Sequence, residues 1–141
     1  MTRFLTCLLA LLFAGFLAAE GGVNPAFTFR GDPAPPNTVF NQGFSAKGTS
    51  TDLLSHALDS SRPPSAFIST STSADVAAGF NNNVYVVRPV NGINVNQALG
   101  PLSPFPAESE IAVPWRINPS DVRGVTLPQQ GVSILNPNWK P

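Results

Sequence analysis

Prolines and glycines recur along this chain and divide it into short segments. Among its 141 residues are 15 prolines and 11 glycines, while only 11% of the residues are charged. Both residue types interrupt helices and the interiors of strands. The pattern therefore predicts a loop-rich fold of short strands and argues against a helical bundle. The length fits one domain.

The first 19 residues have the three parts of a secretory signal peptide. Basic MTR is followed by the apolar run FLTCLLALLFAGFL and by small residues before Glu20. The apolar run, Phe4 to Ala19, is 16 residues long, and a membrane span needs about 20. We therefore expect cleavage rather than a membrane anchor. The prediction is a secreted protein whose mature chain, residues 20–141, is a single domain with no transmembrane segment and no cysteine, since Cys7 lies in the leader.

Turn residues and apolar alternation give a coarse secondary structure. Helices are predicted at 49–58, with Thr49 or Thr51 as N-cap, and at 74–80, with Ser73 as N-cap. GDPAPP is predicted to be a turn, and residues 91–107 are predicted to be irregular. Because the helices come early and the strands dominate late, the predicted class is α+β. The predicted strands are 26–30, 65–70, 84–88, 109–115, 122–127 and 131–135.

Charge and residue inventory exclude several kinds of chemistry. Lys plus Arg and Asp plus Glu both number 8, so no bulk basic field is available to hold nucleic acid. One histidine and no cysteine in the mature chain argue against a metal site. Glycine-rich phosphate loops are absent from the sequence. His56 is expected to be a partly exposed residue of the first helix rather than part of a catalytic triad.

Three polar groups remain as candidates. Arg30 ends the first strand in FRGD, where a guanidinium suits an anionic ligand and Gly31 permits close approach. The stretch FISTSTS places hydroxyls at the end of another strand. Glu108 and Glu110 stand two apart in PAESEIAVPW, and a strand would direct both to one face. Taken singly, these motifs also fit a surface turn, a helix cap and a solvated strand face.

In this order, the motifs resemble mono-ADP-ribosyltransferase toxins of the cholera toxin and heat-labile enterotoxin type. The similarity covers about residues 26–126. It is carried by FTFRGDPAPPNTVFNQGFSAKGTSTDLLSHAL, SAFISTSTSADVAAGF, YVVRPVNGINVNQAL and ESEIAVPWRINPSDVRGV.

The resemblance implies an ADP-ribosyltransferase fold of two short, roughly perpendicular β-sheets with a few small helices around an NAD cleft. Carried over by position, Glu110 is the catalytic glutamate and Glu108 handles the acceptor. Arg30 holds the NAD phosphates, Gly31 gives backbone contacts to the nicotinamide, and Asp32 lies on the adenosine side. By the same resemblance, Ser69 orients Glu110, and Thr70 and Ser71 secure the strand. Phe105 lies in the implied target-recognition loop, Pro101–Ala107, and is its implied aromatic contact.

The implied activity is transfer of ADP-ribose from NAD to a protein of a host or competitor cell. Relatives that modify guanine in DNA carry Gln-x-Glu where this chain has Glu-x-Glu, so arginine is the expected acceptor, with no nucleic-acid partner. No segment suited to a binding subunit follows the last strand. The family's basic residue soon after Arg-x-Asp is missing. This leaves open a degenerate member that hydrolyses NAD or only binds, as well as an unrelated small secreted binding protein.

Overall fold

The computed structural model of the protein describes residues 25–141, so the predicted leader and Cys7 lie outside the described residues. Four α-helices are found in this range: α1 (Pro36–Gln42), α2 (Leu53–Leu58), α3 (Ala74–Phe80) and α4 (Val95–Leu99). The strands there are β1 (Thr28–Gly31), β2 (Phe44–Ser45), β3 (Phe67–Ser71), β4 (Val84–Val87), β5 (Ile93–Asn94), β6 (Glu110–Pro114), β7 (Arg116–Ile117), β8 (Val122–Leu127) and β9 (Val132–Leu135). Short 3-10 turns occupy Gly100–Leu102, Pro106–Glu108, Pro119–Asp121 and Pro128–Gln130.

Seven strands form one antiparallel sheet in the order β5-β6-β3-β1-β4-β8-β9, and β2 pairs with β7 in a second, two-stranded sheet. Within the large sheet, β3 and β6 are paired over five residues and β1 and β4 over four. By contrast, β1 and β3 meet at the single pair Phe29–Ser71. The sheet therefore consists of two well-paired halves, and their hydrogen-bonded pairing ends just beyond this residue pair.

The hydrophobic core joins α1 and the small sheet to the large one. Tyr85 at its centre is fully buried, and the rings of Phe40 and Phe44 make edge-on contacts with it. Burying a large apolar side chain stabilises a fold by about 1.5–3 kcal/mol. The core residues are Val39, Phe40, Phe44, Ile68, Tyr85, Val87, Val113, Ile117, Val122 and Val125.

Several predicted elements are confirmed. The α+β class is correct, and α3 spans Ala74–Phe80 with the Ser73 hydroxyl accepting from Val76 N at 3.3 Å. The later strands agree within one or two residues, and β8 matches 122–127. Two sheets are present as expected, although they are unequal, with seven strands and two.

Other elements differ for identifiable reasons. GDPAPP does not remain a turn, because Pro36 occupies the first position of α1, where a missing N–H costs nothing. Helix α2 begins only at Leu53, since Asp52 is its N-cap and accepts from Ser55 N at 3.1 Å. The stretch predicted to be irregular contains β5 and α4, the latter capped by the Asn94 side chain.

Candidate active site

A cleft of about 470 Å³ opens where β1 and β3 separate. Its size is that of a small-molecule site. Every predicted site residue except Asp32 lines it, although they come from β1, β3, β6 and the loop before β6. The cleft is lined by Phe29, Arg30, Gly31, His56, Ala57, Leu58, Asp59, Ser60, Ser69, Thr70, Ser71, Val76, Ala77, Phe80, Phe105, Glu108 and Glu110.

The guanidinium of Arg30 bridges the gap between β1 and β3. Its Nη1 donates to the Ser69 carbonyl oxygen at 2.7 Å, and its Nε and Nη2 reach Asp32 Oδ2 at 3.1 and 2.9 Å. The ring of Phe44 lies beneath it at 5.1 Å. Three of the five N–H donors of an arginine are thereby used, which fixes the group and leaves two for a ligand.

Asp32, which the resemblance places on the adenosine side, does not line the cleft, and its carboxylate holds Arg30. Its second oxygen, Oδ1, accepts from Ala34 N at 2.9 Å, and the Tyr85 hydroxyl donates to the Ala34 carbonyl. Burial, followed by the Asp32 charge, raises the pKa of Tyr85 to about 12. Phe44 supports the arginine directly, and Tyr85 does so through Ala34 and Asp32. Neither carried a signal in the sequence beyond its apolar character.

Gly31 is explained by packing against α3, whereas the sequence analysis explained it by the close approach of a ligand. A Cβ added there would lie 2.0 Å from the carbonyl oxygen of Ala77 in α3. No side chain fits at that distance, so the close approach of α3 to β1 requires glycine. Gly31 also lines the cleft, but a ligand is not needed to explain it.

Glu110 is the first residue of β6 and is only 9% exposed. Its Oε2 lies 2.6 Å from Nε2 of His56, whose Nδ1 lies 2.7 Å from the Ser65 hydroxyl. His56 is 4% exposed, so the expectation of a partly exposed helix residue is wrong. Among the residues of α2, His56 is the buried one, while Leu58 is 57% exposed although leucine is the more apolar of the two.

The hydroxyl groups of Ser69, Thr70 and Ser71 in β3 each make a hydrogen-bond contact in the site, and the partner of Ser69 differs from the one expected. The Ser69 hydroxyl lies 3.1 Å from His56 Nε2, so it contacts the histidine rather than orienting Glu110 directly. Thr70 donates to the Ile111 carbonyl at 2.7 Å, and Ser71 donates to the Glu108 carbonyl at 2.7 Å. The last two bonds tie the start of β6 to β3.

Glu108 does not lie on the same strand as Glu110. It ends the 3-10 turn Pro106–Glu108, and Ser109 between the two glutamates is left-handed, with φ 47°. Pro106 fits the first position of such a turn, and Thr72 N donates to the Ser109 carbonyl at 3.1 Å. Both carboxylates still reach the cleft. Partial burial, together with the Glu110 charge, raises the pKa of Glu108.

Exposed apolar side chains stand at the mouth of the cleft. Phe105 is 51% exposed, Phe80 is 68% exposed and Leu58 is 57% exposed, and each comes from a different segment. Sequence reasoning named only Phe105. A ligand entering the cleft would pass this apolar rim.

Within residues 25–141, no group of three or more His, Cys, Asp or Glu side chains could hold a metal ion. None of the helices described there is long and apolar enough to cross a membrane.

Solved structures place this fold among the ADP-ribosyltransferases. A guanine-specific ADP-ribosyltransferase is 25% identical, with a TM-score of 0.71 over 84% of this chain and 81% of that one. Scabin toxin from Streptomyces scabies in complex with NADH is also 25% identical, with a TM-score of 0.70 over 82% and 76%. The sequence profile of the family described as Scabin-like matches residues 28–139, and the chain belongs to that family. Among curated proteins, none matches.

These relatives support an ADP-ribosyltransferase toxin family, but they do not support the cholera-type, arginine-specific class. The first of these relatives is named as guanine-specific, not arginine-specific. The expected exclusion of nucleic acid likewise finds no support in them.

Proposed function

We propose that this protein is a secreted mono-ADP-ribosyltransferase that binds NAD in the cleft, releases nicotinamide and transfers ADP-ribose to a nucleophilic nitrogen. The observation that carries the proposal is the buried Glu110 carboxylate, bound by His56 and sharing one cleft with the braced Arg30. The complex of Scabin with NADH supports the choice of dinucleotide.

Arg30 suits the pyrophosphate of NAD. Its two unused N–H groups belong to Nη1 and Nη2, and Asp32 and Ser69 prevent the guanidinium from rotating. A fixed planar fork binds phosphate oxygens at lower entropic cost than a flexible lysine does. Arg30 therefore binds and orients the dinucleotide.

Glu110 suits the chemical step. Cleavage of the bond between nicotinamide and ribose builds positive charge on the sugar, and a fixed carboxylate stabilises that charge more in the transition state than in the ground state. The carboxylate is 9% exposed and needs a donor to remain charged there. His56 supplies it.

The hydrogen-bond network assigns the tautomer of His56. The ionised carboxylate of Glu110 only accepts, so the neutral imidazole of His56 carries its proton on Nε2 and donates it to Glu110. Nδ1 then accepts from the Ser65 hydroxyl, whose oxygen in turn accepts from Phe67 N at 2.9 Å. His56 is accordingly a positioning residue.

Glu108 suits the acceptor. A carboxylate accepts two parallel N–H bonds, and guanine presents such a pair on its N1 and exocyclic N2 edge. A group with a raised pKa also receives a proton readily as the acceptor nitrogen loses one. We propose guanine as the acceptor, which the guanine-specific relative supports. The apolar rim offers a stacking surface for a base.

Protein arginine is the second candidate acceptor. The guanidinium presents a similar pair of N–H groups, with a full charge that a carboxylate binds more strongly than an amide does. The observation that favours it is the carboxylate at position 108, where the resemblance gives guanine-modifying relatives a glutamine.

The test is incubation of the protein with labelled NAD and, separately, guanosine, a guanine-containing oligonucleotide and an arginine analogue. Nicotinamide release and label on a guanine compound would support the first acceptor, and label on the arginine analogue would support the second. Nicotinamide release with no labelled acceptor would identify an NAD glycohydrolase. Absence of NAD binding would overturn the proposal.

Secretion is part of this proposal and rests on the sequence of residues 1–19. The exported protein is expected to begin at or near Glu20. N-terminal sequencing of the protein recovered from culture medium tests this, and retention of Met1–Ala19 would contradict it.

A further inference from the structure

A second cavity, of about 520 Å³, lies at the other end of β1 from the active cleft. The segment before β1, the residues after β4 and the segment after β9 meet there. Phe27 and Trp139 form its aromatic wall, and its other main lining residues are Pro25, Arg88, Pro89 and Pro141. Phe27 and Arg30 stand three residues apart on an extended chain, so about 10 Å along the strand separates this cavity from the active cleft.

Two guanidinium groups lie over the aromatic rings of this cavity. The Arg88 guanidinium carbon is 4.2 Å from the centre of the Trp139 ring, and that of Arg123 is 5.2 Å from the centre of the Phe27 ring. The two rings are 5.8 Å apart. Nη2 of Arg88 also donates to the Lys140 carbonyl at 2.5 Å. Aromatic rings and guanidinium groups thus form one ordered surface.

The surface is locally basic in a chain whose formal net charge is zero. Arg88 lines the cavity, the Arg123 guanidinium lies over the Phe27 ring, and Lys140 follows Trp139 in the chain. Within residues 25–141, the one ion pair that any of these three cations forms is Arg88 with Asp121, at 3.4 Å. Arg123 and Lys140 are exposed. A partner with negative charges and flat rings matches this surface, whereas a proline-rich peptide would offer no anion to the two cations that form no ion pair there.

We propose that this cavity binds single-stranded nucleic acid, with bases stacking on Trp139 and Phe27 and phosphates contacting Arg88, Arg123 and Lys140. Aromatic platforms beside cations are how proteins bind single strands without reading sequence. Where the guanine acceptor of the proposed function belongs to a polynucleotide, this site retains the strand near the active cleft. Only that last step rests on the proposed function.

Binding is tested without guanine and without NAD. The chain has two tryptophans, so in the Trp115→Phe protein the fluorescence reports on Trp139 alone. An oligothymidylate is expected to quench it. Phosphate contacts from three cations predict a slope of about −2 when the logarithm of the affinity is plotted against the logarithm of the salt concentration. The affinity should therefore fall roughly 20-fold between 50 and 200 mM salt.

Charge-removing variants locate the site. Arg123→Gln is expected to reduce the slope to about −1.4, since one phosphate contact is lost. Arg116→Gln is the matched control, because Arg116 is exposed and, within the described part of the chain, its guanidinium donates hydrogen bonds to Ser45, Asn118 and the Gln42 carbonyl, away from this cavity. An unchanged slope in Arg123→Gln, or an equal change in Arg116→Gln, would overturn the assignment.

A second measurement separates this inference from the proposed function. In Arg123→Gln combined with Lys140→Gln, KM for a guanine-containing oligonucleotide is expected to rise several-fold, while guanosine and NAD hydrolysis are unaffected. Failure of oligothymidylate to quench Trp139 in a protein that releases nicotinamide would sink the nucleic-acid site and leave the enzyme. Quenching of Trp139 by a proline-rich peptide but not by oligothymidylate would also overturn the nucleic-acid site. Quenching in a protein with no transferase activity would sustain the site without the enzyme.

Discussion

Replacing His56 tests whether the histidine holds the Glu110 carboxylate in place. His56→Phe keeps an aromatic ring at the edge-on contact with Phe67, whose centre lies 5.4 Å away. It removes Nε2, which lies 2.6 Å from Glu110 Oε2, and with it the N–H donor. A hydrogen bond to a charged group contributes about 1.5–3 kcal/mol. Because the Glu110 side chain is only 11% exposed, water replaces little of that loss. The free energy of unfolding at neutral pH should fall by about this amount.

The same loss should appear in the rate of nicotinamide release. Without its donor, the Glu110 carboxylate is no longer held in one position beside the charge that develops on the ribose. We therefore expect kcat to fall by roughly 10-fold to 100-fold, since each 1.36 kcal/mol corresponds to a factor of ten in rate.

Two further variants separate loss of the hydrogen bond from other effects of the substitution. His56→Gln retains an N–H donor and should restore part of the rate. Ser69→Ala removes the hydroxyl 3.1 Å from Nε2 and leaves the histidine–glutamate contact, so it should change the rate little. If His56→Phe kept wild-type stability and the wild-type rate, the positioning role of His56 would be refuted.

Other expectations concern the remaining parts of the site. Arg30→Lys keeps the charge but loses the planar fork, and calorimetry should find NAD binding weaker by about 1.5–3 kcal/mol; equal affinity would remove Arg30 from the site. Glu110→Gln should lower both NAD hydrolysis and transfer by ~10²–10³-fold, whereas Glu108→Gln should reduce transfer and spare hydrolysis; proportional losses in the two assays would contradict the division of roles. Gly31→Ala should destabilise the fold by about 1–3 kcal/mol in denaturant unfolding, because its Cβ would lie 2.0 Å from the Ala77 carbonyl; unchanged stability would contradict the packing role. Tyr85, the only tyrosine, has a pKa raised to about 12, so phenolate absorbance should appear near pH 12 and its contribution to stability should be lost as pH rises from about 10 to 12; a midpoint near 10 in folded protein would contradict its buried contact.

The parts of the site that could be predicted from sequence are those set by local patterns. Arg30 at a strand end, the hydroxyls of β3 and the start of β6 follow from short stretches whose strand character is plain in the sequence. The Ser73 cap likewise predicted α3. Most of the site residues predicted from these local patterns line one cleft.

The parts that could not be predicted depend on contacts between distant positions or on one unusual backbone angle. His56 and Glu110 are 54 residues apart, and nothing in the sequence of α2 marks His56 as its buried residue. Ser109 is an ordinary residue in a left-handed conformation, which separates the two glutamates into different elements. Phe44 beneath Arg30 carried no sign of its position, because any core phenylalanine has the same appearance in a sequence.

The single pairing of β1 with β3 joins the two halves of the large sheet at one residue pair. On one side, β3 carries the serines and is paired with β6; on the other, β1 carries Arg30 and is paired with β4. A rotation about the Phe29–Ser71 pair would change the distance between these halves without breaking either ladder. The bond from the Arg30 guanidinium to the Ser69 carbonyl crosses the gap, so it fixes the width of the cleft in addition to holding the guanidinium in place.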